Sequence, residues 1–250
     1  MLIRLLSDLH QEFGPYKVQP LPEDSETVLV LAGDIDVGVD ACDFVIEQSE
    51  NFAHVIYLLG NHEFYNNDLD TLANDVADEL ADFPKVSFLD NDSVVIEGVH
   101  FIGSTLWSDM DNENPESMFR IERCLNDYDL IKNRGDKIFA TDTIRLFKDN
   151  MAYLDQTLSE SHPDYRNVVL THHGPSRKSV HPIYRDSGIN GAFVSNCERL
   201  MYDHDIAYWL QGHTHQTSAY EVDGCKVRMN PFGYGHAENL HFDPVFRVEV

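Results

Sequence analysis

The sequence predicts an α/β fold with a second sheet, and three observations carry that expectation. Short Val, Ile and Leu runs have apolar residues on both faces, helix-spaced segments separate several of them, and further β-like runs follow without long helices between. The first class comprises Leu2–Leu6, Val28–Ala32, Val55–Leu59, Val168–Leu170 and Ile206–Leu210. Apolar residues on both faces suit a strand covered on both sides. Between these runs, Val39–Phe52 and Leu69–Leu80 carry apolar residues at helical spacing, and Asp136–Ser161 reads as one long helix or two. The alternation predicts βαβ units. Ser93–Glu97, His100–Gly103, Ala219–Val222, Lys226–Met229 and Val245–Val250 are expected to build a second sheet or the outer half of a sandwich. No repeat, low-complexity tract or Pro/Gly/Ser linker divides the chain, so one domain over residues 1–250 is expected. A polar insertion at about 105–135 breaks the rhythm and is expected to sit over the functional site as a lid or cap. Within it, Trp107 and Phe119 are expected in the core.

Composition narrows the function classes. Asp and Glu total 43 against 18 Lys and Arg, a net charge of −25, with no basic block to release counterions from a phosphate backbone, so an extended nucleic acid is not expected as a partner. A hydrophobic content of 42% excludes disorder as the main state. No apolar run approaches the roughly 20 residues of a bilayer span, so no membrane partner is expected. The opening MLIRLLSDLH is too short in its apolar part for a signal peptide, and a cytoplasmic location is expected. Cys42, Cys124, Cys197 and Cys225 are scattered without a CxxC pair and read as reduced thiols.

The chemistry lies where the apolar runs end. Ser7-Asp8-Leu9-His10, Gly33-Asp34, Gly60-Asn61-His62-Glu63, Thr171-His172-His173 and Gly212-His213-Thr214-His215 each follow a predicted strand. In an open α/β sheet the crevice lies beyond the strands' carboxyl ends, so these groups should converge. Asp8 and His10, two apart, would point the same way in an extended segment, as would His213 and His215. The mixed nitrogen and oxygen donors suit Mn, Fe, Zn or Co better than Ca or Mg. They are too many for one ion with an open position. Two divalent ions sharing Asp34 would use them.

This ordered set closely resembles the calcineurin-like metallophosphoesterase superfamily, whose signature blocks run here from the first strand to about residue 215. The resemblance implies a four-layer αββα sandwich of two mixed sheets flanked by helices, with a binuclear centre at the strand ends. It implies that Asp8, His10, Asp34 and His215 hold one metal, and that Asp34, Asn61, His172 and His213 hold the other. His172 is preferred to its neighbour His173. Catalysis is expected to use attack by a metal-bridging hydroxide at a site built on Asp34 and Asn61, with His62 resembling the family's general acid.

The second block departs from that of phosphoprotein phosphatases. Gly33-Asp34-Ile35-Asp36-Val37-Gly38 lacks their phosphate-binding arginine, which points to small phosphate esters, diesters ahead of monoesters. Phosphomonoesterase action, nucleotide pyrophosphatase action and a non-catalytic metal-binding interaction scaffold remain as alternatives. Cationic and aromatic residues cluster in Pro175–Gly191, so Arg177, His181 and Arg185, with His173, are candidate substrate contacts. His54, His100, His162, His204, His236 and His241 read as surface or satisfied core groups.

Overall fold

The computed structural model describes residues 1–235 and 238–250; His236 lies outside the described residues. In chain order its strands are β1 (Leu2–Leu6), β2 (Thr27–Ala32), β3 (His54–Leu58), β4 (Val86–Phe88), β5 (Asp92–Ile96), β6 (Val99–Ser104), β7 (Lys132–Asn133), β8 (Asp136–Lys137), β9 (Arg166–Thr171), β10 (Ile206–Gln211), β11 (Ser218–Val222), β12 (Cys225–Met229) and β13 (Arg247–Glu249). The main helices are α1 (Asp40–Ser49), α2 (Leu72–Leu80), α3 (Pro115–Cys124), α4 (Ala140–Glu160) and α5 (Glu198–Asp203). One sheet has the order β13-β1-β2-β3-β4 and the other β11-β12-β10-β9-β6-β5, while β7 and β8 form a separate ribbon. β1 to β4 run parallel, as do β6, β9, β10 and β12. β13, β5 and β11 are antiparallel edges, so both sheets are mixed.

Side-chain alternation along the strands builds four layers. Ile3, Leu5, Val28, Val30 and Ile56 of the first sheet meet Phe101, Val168, Leu170 and Leu210 of the second in a core between the sheets. Leu29, Leu31, Val55 and Tyr57 face the other way and pack on Phe44 and Val45 of α1 and Leu72 and Val76 of α2. Ile102, Val169, Trp209 and Val227 do the same for the second sheet against Leu154 and Leu158 of α4 and Leu200 of α5. Each such side chain contributes roughly 1.5–3 kcal/mol on burial, which is why every sheet face is covered. The sandwich is helix, sheet, sheet, helix.

The helices follow their apolar stripes. α2 buries Leu72, Val76 and Leu80 at four-residue intervals, and α1 buries Ala41, Phe44, Val45 and Gln48 with Asp40 and Asp43 at its positive end. Asp136–Ser161 contains one helix: Asp142 Oδ2 accepts the Phe139 N–H at 2.9 Å and starts α4 there, while Asp136 and Lys137 pair in the β7–β8 ribbon.

Three expectations are corrected. Val168–Leu170 and Ile206–Leu210 extend into β9 and β10 at the centre of the second sheet rather than continuing the first. The carboxyl-terminal run joins the first sheet, Ile3 opposite Val248, because the edge of β1 was free for it. Phe119 is 65% exposed beneath the Arg123 guanidinium, because only Ile121 of α3 is buried. Trp107 does pack in the core, against Phe64 and His173. Near it, Met110, Asp111, Asn112 and Glu113 form a left-handed turn, with φ of 54°, 62°, 58° and 57°.

Arg4 is the exception in β1. Its guanidinium is fully buried, gives two 3.1 Å bonds to Asp24, and ties down the carbonyls of Gln19 and Pro244. Arg4→Met strands the Asp24 carboxylate in the interior, and a loss of about 3 kcal/mol is expected. Urea unfolding checks it, and Asp24→Asn added to the same chain should recover part of the loss.

Candidate metal centre

Because the central strands of each sheet are parallel, their carboxyl ends deliver loops to one edge of the sandwich. Backbone bonds lace these loops together: Asp8 N–H donates to Gly33 O at 2.9 Å, His10 N–H to Asp34 O at 3.0 Å, and Gly212 N–H to His172 O at 3.2 Å. The Asp8 carboxylate accepts the His213 N–H at 2.9 Å and so joins the loop after β1 of one sheet to the loop after β10 of the other. Space is tight. A Cβ on Gly60 would lie 2.1 Å from Asp34 Oδ1 and 2.7 Å from His172 Nε2, and one on Gly33, at φ +84°, would lie 2.5 Å from His172 Nδ1.

Asp8 and His10 are not extended, as the two-residue spacing suggested. Asp8, His10, Asp34, His213 and His215 all adopt left-handed backbone, with φ of 55°, 47°, 56°, 70° and 46°. The chain turns sharply as it leaves each strand, and each such residue stores on the order of 1 kcal/mol that the interlocked loops must supply. The same turns aim the side chains inward.

Three groups result, with ligand atoms in each within 4.8 Å of one another: His10, Glu12 and His62, joined by hydrogen bonds to the Glu12 carboxylate, and two that share Asp34, namely Asp8, His10, Asp34 and His215, and then Asp34, His172 and His213. Asp34 belongs to both of the latter. Its Oδ1 accepts the His62 N–H at 2.8 Å, and Oδ2 lies 3.3 Å from His172 Nε2 and 3.8 Å from His10 Nε2. Asn61 joins the last group through Oδ1, 3.2 Å from His172 Nε2. His173 is set back, with Nδ1 on the Thr105 carbonyl and its ring tilted against that of His213, centroids 4.3 Å apart.

The hydrogen bonds behind the rings show what these groups can hold. His172 Nδ1 is 2.9 Å from the Ala32 carbonyl, His10 Nδ1 is 3.0 Å from Glu12, and His215 Nδ1 is 3.0 Å from Glu238, so those three outer nitrogens carry the protons. The inner nitrogens then face one another, His172 Nε2 and His213 Nδ1 at 3.1 Å, His10 Nε2 and His215 Nε2 also at 3.1 Å, so each pair must share a proton or a cation. Nitrogens facing each other at that separation, flanked by carboxylates, fit a bound cation between them. The site favours positive charge. Burial opposes an imidazolium, yet Asp34 and Asp8 outweigh it at His172, raised to about 9, and Asp8 with Glu238 does so at His215, raised to about 10. Burial and the neighbouring histidines keep His213 neutral, as a ligand must be.

Three acidic residues position these groups. Glu12 Oε1 accepts from His10 Nδ1 at 3.0 Å and from His62 Nδ1 at 2.8 Å; burial works against its charge, yet those bonds hold it down to about 2. His62 therefore turns Nε2 toward the Tyr234 hydroxyl, 3.2 Å away, and burial there is outweighed by Asp34 and Glu12, which raise its affinity for a proton. Asp127, from the polar insertion, accepts from Asn61 Nδ2 at 3.0 Å and from the Tyr65 hydroxyl at 2.8 Å, which leaves the Asn61 oxygen facing His172. Glu63 is fully buried and accepts from the N–H groups of Asp34, Ile35 and Gly60 and from the Tyr57 hydroxyl, at 2.8–3.0 Å.

Beside the centre opens a cavity of about 600 Å³, with Asp34, Asn61, His62, His213 and His215 on its floor. Of the candidate substrate contacts, His181 lines it. Arg177 pairs with Asp111 and Arg185 is exposed; neither is on the wall. Glu12, Asp127, Tyr65, Tyr234 and Glu238 had no assigned role in the sequence. Glu12 alone carried a local signal, two residues beyond His10 in the Asp-x-His-x-Glu run.

Comparison with known proteins bears on the family and the fold. Residues 1–217 match the model of the calcineurin-like phosphoesterase family. An uncharacterized protein of Acanthamoeba polyphaga mimivirus is 29% identical over 277 aligned residues, covering 100% of this chain and 96% of that one. Among solved structures, the phosphopantetheinyl hydrolase of Mycobacterium tuberculosis superposes with a TM-score of 0.69 at 15% identity, over 93% of this chain and 89% of the other. A dimetal phosphatase from Danio rerio superposes with a TM-score of 0.52 at 15% identity, over 93% and 87%. At these identities the two structures speak for the fold.

Proposed function

The chain belongs to the calcineurin-like phosphoesterases, metal-dependent hydrolases of phosphoester bonds, and from that premise we propose that it cleaves small phosphodiesters at a two-metal centre. Asp8, His10, Asp34 and His215 would hold one cation, and Asp34, Asn61, His172 and His213 the other. The observation that carries this reading is the Asp34 carboxylate shared by two histidine groups. Their mixed nitrogen and oxygen donors suit Mn, Fe, Zn or Co. When bound, such a pair supplies positive charge to the phosphate oxygens and acidifies a water at neutral pH.

The protein's own groups do the rest. Glu12 fixes the His62 ring with Nε2 toward the cavity, where it can hold a proton and deliver it to the leaving oxygen. Asp127 fixes the Asn61 amide. Among the described residues no Lys or Arg lines the cavity, so phosphate charge would be met by the cations and the protonated His62. That favours a singly charged diester over a doubly charged monoester. Among the described residues no helix is long and apolar enough to cross a membrane, and the four free thiols suit a reducing compartment such as the cytoplasm.

Purified protein loaded with Mn is expected to carry close to two ions per chain and to hydrolyse bis(4-nitrophenyl) phosphate faster than 4-nitrophenyl phosphate. Metal content near zero after loading sinks the reading, and a monoester preference replaces the diester. Chelation should lower the melting temperature by about 10 °C, because a site held at a thousand times its Kd adds about 4 kcal/mol and each kcal/mol is worth about 2–4 °C at this size. Calorimetry of loaded and chelated samples measures it.

A further inference from the structure

The wall of the cavity differs from its floor. Ile183 and Leu240 stand 73% and 80% exposed at its mouth with Tyr184 and Tyr234, and these are four of the eleven large apolar side chains exposed among the described residues. Phe13, also exposed, packs edge-on against Tyr234 at 5.4 Å. Apolar surface gathered at one opening and unused by the fold marks a place where something apolar binds. Ile189 and Phe193 carry the same character inward, where Phe193 stacks on His213 at 4.8 Å.

The cavity lining carries carboxylates and histidines, with Glu238 paired to His215 Nδ1 at 3.0 Å. On the wall the carboxylates are Asp127 and Glu238, and no Lys or Arg among the described residues faces them. Whatever enters is attached to the phosphorus held on the floor, because the same cavity contains His62 and the shared Asp34. We propose that the cavity selects phosphodiesters whose ester arm is bulky, apolar and uncharged, and turns away esters bearing a second phosphate or a carboxylate on that arm. This rests on the diester reading above and adds the substrate class to it. An aryl or alkyl arm covers Ile183, Tyr184 and Leu240 and gives up little water. An anionic arm meets Asp127 and Glu238 across a partly enclosed space and finds no Lys or Arg among the described residues of the wall to pair with.

The test uses Mn-loaded protein and two matched pairs of compounds. Diphenyl phosphate and its analogue with a carboxylate on each ring serve as substrates, read by chromatographic release of the phenol. Diphenylphosphinate and its dicarboxylated analogue, whose P–C bonds resist hydrolysis, serve as ligands, read by protection of Cys124 from iodoacetamide in mass spectrometry. Cys124 is exposed on the cavity wall, whereas Cys42, Cys197 and Cys225 are buried. The uncharged ester is expected to show a kcat/KM at least tenfold above its carboxylated analogue, and diphenylphosphinate to protect Cys124 at a concentration at least tenfold lower. Ile183→Lys, which places a cation at the mouth, should shrink both ratios below threefold. Equal ratios in the parent protein, or no protection by diphenylphosphinate, overturn the proposal. Protection by diphenylphosphinate without cleavage of either ester sustains the selectivity of the cavity and sinks the hydrolytic reading instead.

Discussion

Asp34→Asn is expected to lower kcat/KM toward an aryl phosphodiester by at least about 1000-fold, about 4 kcal/mol of transition-state stabilisation, and to leave less than one tightly held metal per chain. The backbone N–H of His62 donates to Oδ1 at 2.8 Å, so an asparagine keeps its oxygen there and turns its amide nitrogen to where Oδ2 now stands. That nitrogen has no lone pair to offer, and it would face His172 Nε2 and His10 Nε2, one in each group. Both cation sites lose a ligand through a change of one atom. A change in groups that merely support metal ligands costs 10–100-fold, so a ligand shared by two ions should cost at least the product of such effects. The chelated variant should also be less stable than the chelated parent, because burial opposes the Asp34 charge but His172, His62 and His10 outweigh it and hold that carboxyl well below the usual carboxylate range, a stabilisation asparagine forgoes. Metal analysis and kinetics on one preparation separate the two effects. Two retained ions with undiminished turnover would remove Asp34 from the centre.

How much of this was legible beforehand follows from how far apart the interacting residues lie. The strand ends could be read because an apolar run and the polar group after it adjoin in sequence, as in Leu58-Leu59-Gly60-Asn61. Parallel pairing then brings separate strand ends to one edge, which is a rule of such sheets. Sheet membership could not be read that way. β9 and β10 have the same composition as β1 and β2, and only long-range pairing decides which sheet takes them. The positions that orient the site were hidden for the same reason. Glu12 meets His62 across 50 residues, Asp127 meets Asn61 across 66, and Glu238 meets His215 across 23. The Asp127 contact comes from the insertion, whose composition resembles any solvated loop. The left-handed backbone at Asp8 and His10 was also invisible, since Asp and His tolerate that region without needing it.

Glu63→Gln should lower the stability of the metal-loaded protein by about 4 kcal/mol, a melting-temperature loss of about 8–16 °C at this size. Glu63 joins the loop after β2 to the loop after β3, since Oε2 accepts from Asp34 and Gly60 while Oε1 accepts from Ile35 and Tyr57. A glutamine presents an NH2 to one of those pairs. The Tyr57 hydroxyl can turn to accept, but a backbone N–H cannot, so at least one buried donor is left facing another and two charge-assisted bonds are lost. An opposing effect must be weighed. Burial, with the Asp34 carboxylate nearby, raises Glu63 from an ordinary 4.5 to about 7, against the pull of its backbone donors. A carboxyl whose proton is held more tightly in the folded state loses stability as pH rises from about 4.5 through about 7. Glutamine lacks that slope. In chelated protein the gap between parent and variant should therefore narrow as pH rises through this window. Bound cations offset the Asp34 charge and leave Glu63 free to ionise, so in loaded protein the gap should stay wide at pH 7. Unfolding of both proteins at pH 5 and pH 7, loaded and chelated, measures all four gaps. A variant as stable as its parent when loaded would show that the two loops are held by their other contacts.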